Sequence, residues 1–261
     1  MTFLNRTNQD HSHKMSGDVV VIGGGNVAVD VARVASRLTD GHVTMLCLEG
    51  EHEMPASDAE VTFAKNDGVE IKNGWGPKEI LVENGKATGV VFKKCTQVKD
   101  ADGRFNPQYD ESQTITVMGE HVLESIGQSA VWGNMLEGEK VELRKNGGII
   151  ADPVTFQTAQ PDIFTGGDIY HGAKFAIDAI AEGKLASESM HRYVHPGQSL
   201  TIARDLRQFI ELDKDNIVVE GYDNAKRQTP GTKKVDDPFA DPTVILTEEQ
   251  VQTEAKRCLS C

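Results

Sequence analysis

Three glycines followed by small residues are the part of this 261-residue chain whose types and spacing could do chemistry. Asp18-Val19-Val20-Val21-Ile22 runs into Gly23-Gly24-Gly25-Asn26-Val27-Ala28. The spacing Gly23-x-Gly25-x-x-Ala28 is the form of the dinucleotide fingerprint that carries Ala at its third place. Each position has a physical reason. Gly23 lets the backbone turn sharply. Gly25 has no side chain, so a pyrophosphate can approach the main chain. Ala28 lets the following helix pack closely on the strand. The turn at Gly24 and the helix N-terminus at Asn26 and Val27 then offer free N–H groups and a positive dipole end to phosphates. No constellation of acid, base or nucleophile stands out elsewhere. The expected chemistry is therefore the binding of a dinucleotide, with no catalytic side chain named.

That site needs a carboxylate further on. A second apolar run, His42 to Leu48, ends in Glu49, where an acid can accept hydrogen bonds from adenosine ribose hydroxyls. Glu49 lies 49 − 23 = 26 residues past Gly23, against the usual ~20, and the loop Thr39-Asp40-Gly41 absorbs the difference. The competing readings are an ordinary βαβ unit that binds nothing, and a Glu49 that faces solvent while Arg33 or Arg37 reads a 2′-phosphate.

The elements that must position these residues follow from the pattern. A helix after Gly25 has Val27, Val31 and Val34 on one stripe and Ala28, Ala32 and Ala35 beside it. Ser57 with Glu60 three residues later is a capping box for a helix ending at Asp67-Gly68. Val69–Ile71 is a short strand, Trp75-Gly76-Pro77 a turn, and Lys78–Val82 a strand. Asn84-Gly85 is a hairpin turn leading to Ala87–Phe92. Residues 99–112 form a long polar loop or hairpin tip, and strands return at 115–117 and 122–126. Residues 147–152 and 155–158 are expected to pair as strands, and 161–168 to form an apolar strand ending in Gly-Gly-Asp. A helix from Lys174 to about Arg192 draws its apolar residues from Phe175, Ile177, Ala179, Ile180 and Leu185. Further helices are expected near 200–212 and from Thr247 onward.

Composition narrows the class. The net charge of −13 repels nucleic acid and anionic membranes. No apolar run reaches the ~20 residues that span a bilayer, and the opening Met1–Arg6 lacks the apolar core of a secretory signal. Four cysteines without a framework pattern fit a reducing cytoplasm. Residues 1–16 are polar and are expected to be a disordered tail. His11 and His13 alone are a weak basis for a metal site.

Several segments together resemble the glutamate synthase small (beta) subunit and related flavin-dependent NAD(P)H oxidoreductases. They are Val-Ile-Gly-Gly-Gly-Asn-Val-Ala at 21–28, Glu-Met-Pro-Ala at 53–56, Ser-Ile-Gly-Gln at 125–128 and Asp-Ile-Phe-Thr-Gly-Gly-Asp at 162–168. Residues 174–184 and the closing Glu-Ala-Lys-Arg-Cys-Leu-Ser-Cys complete the set. The resemblance implies an α/β fold: residues 17–124 as a Rossmann-like NAD(P)-binding domain with a β-meander, 125–195 as the second half of an FAD domain, and 196–261 as an extension. It implies FAD contacts at Gly127, Gly167 and Asp168, and at the helix start Lys174, Phe175 and Ala176. The family's first glycine fingerprint and N-terminal cysteine cluster have no counterpart here. A partner chain or a further N-terminal half would therefore complete the FAD site. Cys258 and Cys261 are iron–sulfur ligands only in a longer chain. Relatives that use NADPH carry Arg after the second strand; Leu48-Glu49-Gly50-Glu51 stands there instead, so NAD(H) is expected over NADP(H). The implied role is hydride transfer from NADH to FAD and electron transfer onward. The alternatives are a chain that binds NAD(H) without catalysis, and a self-sufficient dehydrogenase for which no catalytic residues are evident.

Overall fold

A computed structural model of the chain describes residues 2–10, 12–204, 225–233, 235, 237 and 240–258. It divides into two compact units, residues 1–126 with 221–261, and residues 127–220.

The first unit is built on a parallel sheet. Strand β1 (Val19–Ile22) leads into helix α2 (Asn26–Leu38), then β2 (Val43–Cys47), α3 (Asp58–Asn66) and β3 (Glu70–Asn73). An antiparallel meander follows, β4 (Trp75–Glu83), β5 (Lys86–Lys99) and β6 (Phe105–Met118). The chain then returns as β7 (His121–Glu124) beside β1. The parallel order is β3-β2-β1-β7, so the chain reverses direction across the sheet at the end of β1. Crevices at the carboxyl ends of strands at such a reversal are where open α/β sheets bind ligands.

The unbroken apolar run of β1 is explained by burial on both faces. Val19 and Val21 pack with Ala28, Val31 and Ala35 of α2. Val20 and Ile22 face the meander, against Val90 and Phe92. The meander therefore takes the place of a second helical layer.

Several expectations need correction. Residues 2–9 form a helix, α1 (Thr2–Gln9), with Phe3 and Leu4 packed on the core and Met15 buried, so residues 1–16 are not a disordered tail. His11 lies outside the described residues. Val27 does not belong to the buried stripe of α2; it is 43% exposed, while Val29 is buried. Trp75-Gly76-Pro77 is strand, not turn. Pro77 sits beside a bulge on the edge strand β4, where a missing N–H costs no ladder bond. The polar stretch 99–112 is mostly strand around a tight turn closed by Asp100 N–H to the Arg104 carbonyl, 2.9 Å. The Asn84-Gly85 turn is as expected, with φ of 51° and 76°, the paired positive values of a type I′ hairpin.

In the second unit the expected strands at 147–158 and 161–168 reduce to single bridges, Leu143–Ile149 and Gln157–Phe164. Its small core is Phe156, Tyr170 and Ala186. A short helix α4 (Asp168–His171) precedes the long α5 (Ala176–Tyr193). Of the apolar residues expected on α5, Leu185 packs against this core, whereas those of the first turns do not. Phe175, Ile177 and Ile180 are 71, 69 and 53% exposed, while Glu182, Ala186 and Ser189 are buried. The helix expected near 200–212 falls mostly outside the described residues. The last helix, α6 (Glu248–Ala255), starts at Thr247, whose hydroxyl accepts from Gln250 N–H at 3.3 Å.

Candidate functional site

The glycine turn sits where β1 ends. Gly23 N–H donates to the Leu46 carbonyl and Ser125 N–H to the Ile22 carbonyl, at 2.9 and 2.8 Å. Gly23 has φ of 144°, and a Cβ there would lie 2.5 Å from the Ser125 carbonyl oxygen. Glycine is therefore required at this position by the fold itself. Gly25 is different. It caps α2 in an extended conformation, φ −90°, and a Cβ on it would meet nothing within 4 Å. The space above Gly25 is open; the Ala28 amide donates to the Gly25 carbonyl at 2.9 Å, which leaves the amides before it, at Asn26 and Val27, without a partner inside the helix. Ala28 is fully buried, 3.1 Å from the position of a Gly23 Cβ.

Glu49 is half-buried at the end of β2. Its Oε2 lies 2.6 Å from where a Gly24 Cβ would stand, which puts the carboxylate against the glycine turn. Below it, burial, and after that the Glu49 charge, push the Cys47 thiol up from its ordinary 9.0 to about 12. Arg33 pairs with Glu60 and Asp67 at 3.2 and 2.9 Å, and Arg37 with Asp67 at 3.0 Å. Both guanidinium groups brace α2 against α3. This use of Glu60 also corrects the capping box: Ser57 Oγ accepts from Glu60 N–H, 3.4 Å, but the Glu60 carboxylate goes to Arg33.

Sequence reasoning missed the segment that clasps this turn. Ala56 N–H donates to the Gly24 carbonyl and Ser57 N–H to Asn26 Oδ1, both at 3.0 Å. Asn26, expected at the ligand, thus has its side-chain oxygen engaged in tying residues 56–57 to the turn. Glu53 closes the loop further, its N–H donating to the Gly50 carbonyl at 3.1 Å and its carboxylate accepting from Gly50 N–H at 3.3 Å. The only trace of this in the sequence was the Glu-Met-Pro-Ala segment itself.

In the second unit, Gly167 has φ of 70° and caps α4. Its N–H donates to Glu182 Oε2 at 2.5 Å, and the other oxygen of Glu182 holds His171 Nδ1. Arg144 donates to the Tyr170 carbonyl and lies over the Tyr170 ring. Glu182 was also missed; its signal was a lone carboxylate in a run of small and apolar residues. Asp168 is the first residue of α4 and is exposed. Lys174, Phe175 and Ala176 are exposed at the start of α5, and Phe175 N–H donates to Asp178 Oδ2 at 3.2 Å. Gly127 is exposed with nothing within 4 Å of a Cβ position. Cys258 is exposed after α6, and Cys261 lies outside the described residues. Among the described residues, no group of three or more His, Cys, Asp or Glu is placed to hold a metal, and no helix is long and apolar enough to cross a membrane.

A parallel sheet with a glycine turn at its reversal point, covered by an antiparallel meander, defines a dinucleotide-type α/β architecture. The chain belongs to the pyridine nucleotide-disulphide oxidoreductase family, which matches residues 1–183. It is 32% identical over 272 positions to the NADP(+)-dependent formate dehydrogenase subunit beta of Moorella thermoacetica, an alignment covering 99% of this chain. It is 35% identical over 181 positions to the glutamate synthase (NADPH) small chain of Escherichia coli K12, covering 67% of this chain. The chain spans 38% of the length of each of these two relatives. Among solved structures, thioredoxin reductase of T. acidophilum has a TM-score of 0.57 at 22% identity, over 71% of this chain and 55% of that one. The thioredoxin reductase of Lactococcus lactis gives 0.56 at 20% identity, over 72% and 56%. These two show the fold. The family expected from the motifs is the family found: flavoprotein NAD(P)H oxidoreductases.

Proposed function

We propose that this chain is the NADH-binding module of a flavin-dependent oxidoreductase, resembling the glutamate synthase small chain, with residues 17–124 as the nucleotide domain and 125–195 as one half of an FAD domain. The observation that carries the reading is the contrast between Gly23, which the fold requires, and Gly25, above which the structure leaves open space. A pyrophosphate fits over Gly25, against first-turn amides and the α2 dipole. Glu49 accepts from the ribose hydroxyls and repels a 2′-phosphate. The two relatives carry NADP in their names; preference for NADH here rests on Glu49 and on the commitment of Arg33 and Arg37 to α3.

FAD, when bound, accepts a hydride and passes electrons on to a partner. This chain's own contribution is positional. Glu182 holds Gly167 so that Asp168 begins α4 facing outward, available to flavin hydroxyls. The start of α5, with Lys174, Phe175 and Ala176, presents its amides and an apolar surface. The exposed Phe175, Ile177 and Ile180 are the face that the other half of the FAD domain, on this polypeptide or a partner, would cover. The same exposure favours a second reading, nucleotide binding without redox turnover, wherever that half is missing.

The test is the visible spectrum of the chain supplied with FAD and then NADH. Retained flavin that bleaches on adding NADH supports the oxidoreductase reading. Flavin that elutes freely while NADH still binds supports the second.

A further inference from the structure

The far end of α5 carries two histidines that the binding of NADH and FAD leaves unused. His191 lies in the last turn of the helix, and Val194 beyond it keeps helical backbone, φ −79° and ψ −7°. His195 therefore falls one turn on from His191, on the same face. Both residues are exposed. Their ring centroids are 4.3 Å apart, with the planes inclined at 39°.

Hydrogen bonding decides which ring nitrogens are free. His195 Nδ1 donates to the His191 carbonyl at 2.7 Å. A carbonyl only accepts, so Nδ1 carries the proton and Nε2 of the neutral ring keeps its lone pair. A backbone carbonyl on the far nitrogen is the usual support of a metal-bound imidazole. The His191 ring makes no hydrogen bond among the described residues. An ion about 2.1 Å from one nitrogen of each ring, ligated near a right angle, sets the two centroids roughly 4.6 Å apart, close to the spacing found. The negative end of the α5 dipole favours a cation at this place. The neighbouring charges are already paired: Arg192 donates to Glu188 at 2.6 Å and to the Ser199 carbonyl at 2.9 Å, and Arg204 meets Glu188 at 3.2 Å. Glu188 is thereby held away as a third ligand. We infer that His191 and His195 form a two-imidazole chelate for a borderline divalent transition ion such as Zn²⁺ or Ni²⁺, with water completing the coordination. The site is independent of nucleotide binding and stands or falls apart from it.

The experiment is calorimetric titration of the full chain, free of any polyhistidine tag, with NiCl₂, for the unaltered protein and for His191→Gln, His195→Gln and His13→Gln. Histidine-ring NMR signals are followed in parallel during addition of ZnCl₂. A second imidazole on the same chain adds its affinity through a high effective concentration. Removing either His191 or His195 is therefore expected to weaken the tightest site at least about tenfold. His13→Gln, on another exposed histidine, is expected to leave that site within about twofold. Of the eight histidines, the rings of His191 and His195 are expected to shift together, at one and the same Zn²⁺ concentration. Loss in only one of the two variants, or in neither, overturns the chelate, because the ion is then held by a single ring or elsewhere. A larger loss in His13→Gln overturns it in favour of the N-terminal segment. No binding of either ion overturns it outright.

Discussion

Glu49 stands beside Gly24 at the glycine turn: a Cβ on residue 24 would stand 2.6 Å from Glu49 Oε2. The carboxylate is held against the turn, where the adenosine ribose of a dinucleotide on this fold would lie. Hydrogen bonds to an ionised acceptor contribute about 1.5–3 kcal/mol. Glu49→Ala is therefore expected to weaken NADH binding roughly tenfold to a hundredfold and to leave NADPH binding no weaker. Paired titrations check this; equal loss for both cofactors would mean that Glu49 does not read the 2′ position.

Gly23 and Gly25 belong to one motif and should fail differently. Gly23→Ala puts a Cβ against the Ser125 carbonyl in a backbone conformation that L residues rarely adopt. It should cost about 3 kcal/mol of stability, read as a lowered urea midpoint. A Cβ at residue 25 meets nothing within 4 Å, and the backbone there is extended. Replacing the N-cap glycine by Val should cost about 1 kcal/mol, well below the Gly23→Ala loss, while NADH affinity falls on the order of a hundredfold. Loss of fold in Gly25→Val would contradict the open cradle.

The contrast also shows what was legible before the structure. The strand–turn–helix around Gly23 is local: its glycines, its β-branched run and its helical stripe lie within a span of about twenty residues, so their meaning survives without tertiary context. Glu49 was legible because the end of the second strand is fixed by the same unit. What was not legible depended on partners distant in sequence. Trp75-Gly76-Pro77 has turn composition, but Gly76 is glycine because Tyr109 and Leu48 approach within 2.5 and 2.8 Å of a Cβ position. Val27 fits a helical stripe, yet it lies in the first turn of α2, where it is 43% exposed. The apolar face of α5 promised a buried helix, but its own unit buries the opposite, small-residue face. Glu182 and Glu53 look like solvent charges until the amides of Gly167 and Gly50 are seen beside them.

Glu182 is buried, with one oxygen on Gly167 N–H and the other on His171. Removing it leaves a partly buried amide unsatisfied. Glu182→Ala is expected to destabilise the second unit by about 2 kcal/mol and to speed amide hydrogen exchange at Gly167. Glu182→Gln, which keeps an acceptor, should do less of both. Unchanged exchange at Gly167 in Glu182→Ala would remove the clamp from the account.

The cysteines should separate by reactivity. Burial raises the Cys95 thiol and lifts Cys47 to about 12, whereas Cys258 is exposed. At pH 8 a thiol with a pKa of about 12 is roughly one part in ten thousand thiolate. Iodoacetamide should therefore modify Cys258 in the folded protein, and Cys47 and Cys95 only after denaturation. The sign for stability follows. The folded protein holds the Cys47 proton to higher pH than the unfolded chain, so this contribution is complete below about pH 9 and is lost as pH rises toward 12. Alkaline unfolding should be partly relieved in Cys47→Ala. Rapid native-state labelling of Cys47 would contradict its buried, protonated state.

The most direct test of the central claim is a pair of equilibrium titrations of the unaltered chain with NADH and NADPH, followed by nicotinamide fluorescence, with Gly25→Val as the control. The account predicts saturable binding of both cofactors or of NADH alone, NADH the tighter, and loss of binding in Gly25→Val with the fold intact. Binding unaffected by Gly25→Val, or NADPH bound more tightly than NADH, would contradict it.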